Sequence, residues 1–229
     1  HPVDDLSLEG AMAAAAQKIM IPVLIGPRAR IEQAARNIQV DLTDIEIIDT
    51  PYSHASAATA VTMAREGKVI AIMKGAIASD ELLSAVIDSK TGLRTERRSS
   101  HVYIFSAPDY HKLLLVTDAA LNVEPDLADK RDIVQNAIDL AHAIGIACPK
   151  VAILSAVEKV KPQLQSTVDA AALCKMADRK QITGAILDGP LAFDNAISPE
   201  ALAQKGIDSP VAGDADILVV PDLISGNIL

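Results

Sequence analysis

Three arginines interleaved with hydroxyls stand together at residues 91–101, Thr91-Gly92-Leu93-Arg94-Thr95-Glu96-Arg97-Arg98-Ser99-Ser100-His101, in a chain whose net charge is −9. Planar guanidinium groups meet phosphate oxygens two at a time, and Ser and Thr hydroxyls add further donors. Arg94, Arg97, Arg98, Ser99 and Ser100 therefore form the strongest local candidate for an anion site. The competing reading is a solvated basic loop that offsets nearby acids. Lys74, at the end of an apolar run and before a candidate helix start, could add a cation to the same site. Further polar groups follow other apolar runs: Thr117-Asp118, Ser155, Asp188-Gly189-Pro190 and Pro221-Asp222. In open α/β sheets ligands bind beyond the carboxyl ends of the strands, which makes these positions candidates; as turn residues and helix caps they would need no ligand. Asp214-Ala215-Asp216 is an acid pair that could hold a divalent ion or simply make a turn. No G-x-G-x-x-G, P-loop, G-x-S-x-G or H-E-x-x-H motif is present, and the five histidines show no ligand spacing.

Short apolar runs alternate with amphipathic stretches almost throughout. Strands are predicted at residues 21–25, 45–48, 69–73, 101–105, 113–116, 151–154, 185–187 and 217–220, the seventh stopped by Asp188-Gly189-Pro190. Helices are predicted over 29–36 and 57–65, from about Ser79 with that residue as cap, and over 126–143. Two more are predicted from a capping box at residues 166–169 through Met176, and from Ser198-Pro199-Glu200 to a stop at Gly206. In the 126–143 helix, Leu127, Val134, Ala137, Ile138 and Ala141 share one face. Apolar strands alternating with helices argue for a mostly parallel sheet covered on both faces. Two strands abut without a helix near Pro108–His111, which places a domain boundary there: residues 1–109 and 110–229.

The acidic balance disfavours duplex DNA and anionic membranes, and two Phe, three Tyr and no Trp offer little for stacking bases. Cys148 and Cys174 sit in apolar surroundings and read as buried thiols rather than a disulfide or metal pair. No apolar run is long enough for a membrane span, and no signal peptide is visible, so a cytoplasmic location is expected. The sequence opens on His1 and stops inside an apolar segment, which reads as a fragment.

Several runs, in order, carry a more specific signal: MKGAIASDELLSAVI, TGLRTERRSSHVYIF, LLLVTDAALNVEPDLADKRDIVQNAIDLAHAIGI, PKVAILSAVEKV, STVDAAALCKMADR, GAILDGPLAFDNAIS and SPVAGDADILVVPDLISGNIL. Together they resemble the phosphate acetyltransferase/phosphate butyryltransferase family over nearly the whole chain, most closely the form fused behind an enoyl-CoA hydratase-like segment. The resemblance implies two α/β domains like those of isocitrate and isopropylmalate dehydrogenases, an interdomain cleft and a homodimer. It implies the reaction acyl-CoA + phosphate ⇌ acyl phosphate + CoA, with coenzyme A as substrate and no metal or other cofactor. Arg97 is the favoured phosphate-binding arginine, with Arg94 and Arg98 as alternates. Lys74, Asp118, Asn122, Asp188 and Asn227 match family motif positions. The family chain continues past the equivalent of Leu229 into a segment with a Ser-Arg pair and an Asp, to which the resemblance assigns activation of the thiol.

Acyl transfer between a thiol and a phosphate needs the reactants held together, a base for the thiol, and donors for the oxyanion. The residues above supply the phosphate cations. Two rival readings carry different expectations. A metal-dependent decarboxylating dehydrogenase would use Asp188, Asp214 or Asp216 as ligands. A non-catalytic CoA-ester-binding or dimerisation domain would bind CoA without turnover.

Overall fold

A computed structural model describes all residues, His1–Leu229. The chain forms two compact units, His1–Glu96 and Arg97–Leu229. The boundary drawn at 109/110 falls inside the second unit, because the strand Val102–Phe105 (β3) pairs antiparallel with Leu114–Thr117 (β4) and belongs to the same sheet.

In the second unit five strands lie in the order β3-β4-β7-β5-β6, with β5 at Lys150–Leu154, β6 at Ile186–Leu191 and β7 at Ile217–Val219. All neighbours except β3 and β4 are parallel. A parallel sheet must be covered on both faces, and side chains alternate accordingly. Leu115, Val151, Ile153, Ile217 and Val219 face the helices Leu127–Ala143 (α5) and Gln165–Asp178 (α6). Leu114, Val116, Ala152, Leu154 and Leu218 face Phe193–Ile197 (α7), Pro199–Lys205 (α8) and the 211–215 loop. The apolar face expected for α5 is present, with Val134, Ala137, Ile138 and Ala141 fully buried, and Asp126 and Asp129 close a capping box at its start.

Several sequence expectations are corrected here. The strand β6 does not stop at Asp188 but runs through Gly189-Pro190; it is an edge strand, where a residue without an N–H costs no ladder bond. The helix α6 begins two residues earlier than the proposed box, with Leu164 as cap and no side-chain cap bond. Asp169 turns instead to the Lys130 ammonium, 2.7 Å away. The cap of Ser198 and the left-handed Gly206 that ends α8 are as expected. Cys148 is exposed rather than buried, while burial, followed by the charges of Asp188 and Asp178, pushes the Cys174 thiol up to about 12.

The first unit has a two-stranded parallel sheet, Val23–Gly26 (β1) with Glu46–Asp49 (β2). Around it lie Asp5–Ala16 (α1), which had no sequence expectation, Arg28–Asn37 (α2), Ser53–Arg65 (α3) and Ser79–Val86 (α4). Ser79 is inside α4, whose cap is Ala78. Leu8, Leu24, Ile31 and Ala34 make the core of this unit. Residues 69–73, expected as a buried strand, form none, and Ile70 is fully exposed. No helix in the chain is long and apolar enough to cross a membrane.

Candidate functional site

The four parallel strands of the second unit fix where polar groups converge, because the helices α5, α6 and α9 (Leu223–Ile228) all start beyond strand carboxyl ends. Asp118 follows β4 directly and is 2% exposed. Its Oδ1 accepts from the amides of Ala120 and Leu121 at 3.1 and 2.9 Å, and its Oδ2 accepts from Asn122 Nδ2 at 2.6 Å. Asn122, itself buried, donates from Nδ2 to the Ser99 carbonyl at 3.0 Å and accepts from Arg98 Nε at 2.5 Å. A polar chain thus runs from the end of β4 to the arginine segment. Asn227 on α9 donates to the Ala119 carbonyl at 3.4 Å, so it joins the same corner.

A face of α5 grips the segment from the other side. Arg98 Nη1 pairs with Asp129 at 3.0 Å, and the Arg98 amide donates to Asp132 Oδ2 at 3.0 Å. Arg97 Nη1 donates to Asp139 Oδ2 at 2.6 Å and to Asn136 Oδ1 at 3.3 Å. Asn136 Nδ2 in turn donates to the Arg98 carbonyl and to Ser100 Oγ, at 2.8 and 2.9 Å. Burial is the largest single influence and raises the carboxyl of Asp139, but the hydrogen bonds from Arg97 and Gln135 and the Arg97 charge together outweigh it and hold the group below the usual carboxylate range. Asp129, Asp132, Asn136 and Asp139 were not singled out in the sequence. Their spacing of three, four and three residues marks a helical stripe, and that was the available signal.

The arginines therefore differ. Arg97 and Arg98 are ion-paired within their unit. Arg94, in the first unit, is exposed and makes no ion pair or side-chain hydrogen bond. Lys74, also in the first unit, donates from Nζ to the Ile77 carbonyl at 2.9 Å.

Asp188 does not join the Asp118 corner. It lies within β6, three strands from β4, and its Oδ1 accepts from the Gly189 amide at 2.8 Å. Just past the end of the neighbouring β5, Ser155 shares a hydroxyl pair at 2.8 Å with Ser166 in the first turn of α6. Between α5 and α6 sits a buried ion pair that sequence reasoning missed, Lys130 with Asp169.

Asp214 and Asp216 stand at the opposite, amino ends of the strands. Lys112 Nζ contacts both, at 2.9 and 2.8 Å. Lys150 Nζ and His111 Nε2 reach Asp214 at 2.7 and 2.9 Å, and the Lys150 amide donates to Asp216 at 2.7 Å. Burial would raise the Asp214 carboxyl, but hydrogen bonds from Lys150 and Lys112 hold it far below the ordinary value. Acids already balanced by lysines, away from the ligand end of the sheet, do not make the metal site that the dehydrogenase reading needs from them.

Comparison with known proteins adds to this geometry. The family described as Phosphate acetyl/butaryl transferase matches residues 51–229. A phosphate acetyltransferase of Rhizobium meliloti is 56% identical over all of this chain and 72% of its own length. A phosphate butyryltransferase of Clostridium acetobutylicum is 42% identical over 99% of this chain and 75% of its own. The solved structure of a branched-chain phosphotransacylase from Enterococcus faecalis V583 superposes with a TM-score of 0.76 at 32% identity, over 91% of this chain and 82% of that one. With the ordered polar corner beyond β4 and the basic segment anchored to it, these likenesses place the chain in the phosphate acetyl/butyryl transferase family of acyltransferases.

Proposed function

We propose that the protein catalyses reversible acyl transfer between coenzyme A and inorganic phosphate, with acetyl as the acyl group. The CoA thiol gives up its proton as its sulfur bonds to the acyl-phosphate carbonyl carbon, the bond from that carbon to the phosphate oxygen breaks, and phosphate departs, carrying that proton as the hydrogen phosphate dianion; the reverse direction makes acyl phosphate. Acetyl is supported by the higher identity to the acetyltransferase than to the butyryltransferase, 56% against 42%.

The observation that carries the site reading is the difference among the arginines. A guanidinium whose charge is already met by a carboxylate must give up that pair before it can take phosphate, whereas Arg94 has none to give up. We assign Arg94 the phosphate, with Lys74 as a second cation. Arg97 and Arg98 hold the segment in place through Asp139, Asp129 and Asn122. This reverses the preference for Arg97 reached from the sequence. The same reading takes the active enzyme as a homodimer.

The test is CoA-dependent consumption of acetyl phosphate and butyryl phosphate by the protein and by Arg94→Ala and Arg97→Ala. The expected result is a preference for acetyl phosphate, and a loss of about 100-fold or more in kcat/KM for Arg94→Ala. The expected loss for Arg97→Ala is smaller and accompanied by lower stability. Equal losses, or a larger one at Arg97, would return the phosphate to Arg97. CoA binding without turnover would favour the non-catalytic reading.

A further inference from the structure

Two exposed histidines of this molecule stand against carboxylates, and the carboxylates differ. His111 Nε2 lies 2.9 Å from Asp214, which Lys112 and Lys150 already hold at the amino ends of the strands. His54 Nδ1 lies 2.7 Å from Glu81 Oε1, a buried oxygen that no lysine, arginine or well-aligned hydrogen bond reaches. The imidazole is its one partner, close but not yet aligned, a state in which catalytic pairs often stand before substrate tightens them. Such a carboxylate draws the ring proton to Nδ1 and leaves Nε2 free to exchange another. The His54 side chain is 78% exposed, so a ligand can reach it.

The pair also stands at the ligand end of its sheet. His54 is in the first turn of α3, just beyond the carboxyl end of β2, and Glu81 is in the first turn of α4. The loop that carries Lys74 is tied to the same turn of α3. The Ala76 amide donates to the His1 carbonyl at 3.0 Å, and His1 Nδ1 meets Ser56 Oγ at 2.9 Å. Ser56 and Lys74 line one cavity of about 510 Å³.

We propose that His54 carries the proton of the phosphate, as acid toward the departing group and as base toward the attacking one, with Glu81 positioning its ring. The proposal rests on the acyl-transfer reading, with phosphate held by Arg94 and Lys74. When the carbon–oxygen bond of acyl phosphate breaks, its electron pair stays on the phosphate oxygen. Without a proton the leaving group is a phosphate trianion, which departs poorly. Arg94 stays protonated and cannot supply one. The imidazolium gives its Nε2 proton to that oxygen as the bond breaks, and hydrogen phosphate dianion leaves. The proton that the thiol released then restores the ring. In the reverse direction the neutral Nε2 takes the proton of hydrogen phosphate as its oxygen attacks the thioester carbonyl.

The test is CoA-dependent consumption of acetyl phosphate by the parent and by variants of His54, Glu81 and His111. His54→Asn keeps a donor where Nδ1 stood, so it preserves the contact with Glu81 but cannot pass a proton. Its kcat should fall about 100-fold or more, with KM for acetyl phosphate within about threefold of the parent. Added imidazole should raise the rate of His54→Ala about tenfold or more and leave the parent unchanged. Glu81→Ala should lower kcat about tenfold at unchanged KM, and Glu81→Gln, which still accepts from Nδ1, should lower it less. His111→Asn should keep the parent rate. A parent that does not turn over acetyl phosphate would overturn the acyl-transfer reading and this role with it. An active parent matched by His54→Asn, or His54→Ala that imidazole does not revive, would overturn the role of His54 alone. Glu81→Ala at the parent kcat would remove Glu81 as the positioning residue.

Discussion

The two sheets of this molecule are built from similar sequence and reach different ends. In Arg97–Leu229, apolar runs such as LLVT and ILV sit between neighbours on both sides, and Leu115, Val151, Ile217 and Leu218 are fully buried. In His1–Glu96, the equally apolar VIAIM finds no neighbour and stays irregular and exposed. Strand propensity describes how well a residue fits a pleated, half-buried surface, not a preference the backbone carries alone. Without flanking strands there is no such surface to fit. The lesson is that the same local pattern is cooperative in one unit and idle in the other.

The comparison can be broken or sharpened by mutation. The largest effect is expected at the buried pair between α5 and α6. Lys130→Met leaves the Asp169 charge buried and unpaired, and should cost about 3–5 kcal/mol of stability in urea unfolding. Adding Asp169→Leu should return much of it; no recovery would mean that the cost is not electrostatic. Next, Leu115→Ala removes a fully buried side chain between β4 and α5, with an expected loss of about 2–5 kcal/mol.

A smaller loss, about 1 kcal/mol, is expected from Ser198→Ala, whose hydroxyl accepts from the Ala201 amide at the start of α8. The acid dependence of the Asp214 cluster should be slighter still, because that side chain is 39% exposed and solvent screens its pairs. Its folded-state carboxyl is depressed, so its contribution is present above the unfolded carboxylate range, near pH 4, and fades as pH falls below it. Between about pH 5 and pH 3 the parent should therefore lose more stability than Asp214→Asn; parallel curves would mean that the lysine contacts contribute nothing. The smallest effect belongs to the first unit. Ile70→Ala should change stability by no more than about 0.5 kcal/mol in this chain, since the side chain is already in water; a cost like that of Leu115→Ala would show that the segment is packed after all.

The candidate site was legible in part. The arginine segment and Asp118 stood out because residue type alone announces their chemistry, and Asp118 lies at the end of an apolar run. Asn122 and Asn227 came from family motifs and do meet at that corner. Asp188 did not join them, because β6 is the edge strand three positions from β4, an order that strand-end residues do not reveal. The partners of the arginines were hidden for a different reason. Asp129, Asp132, Asn136 and Asp139 look like the ordinary solvated side of an amphipathic helix until a basic segment is laid along it.

By itself, the sequence determined the α/β alternation, the inward face of α5, the cap and stop of α8 and the family, because these rest on periodicity, short-range hydrogen bonds and ordered motifs. Only the tertiary structure decided which arginines are compensated, that Asp214 and Asp216 are held by lysines, and that residues 69–73 are left without a sheet. Charge pairing and strand pairing join residues far apart in the chain, and their free energy depends on whether a partner arrives, which no local pattern encodes.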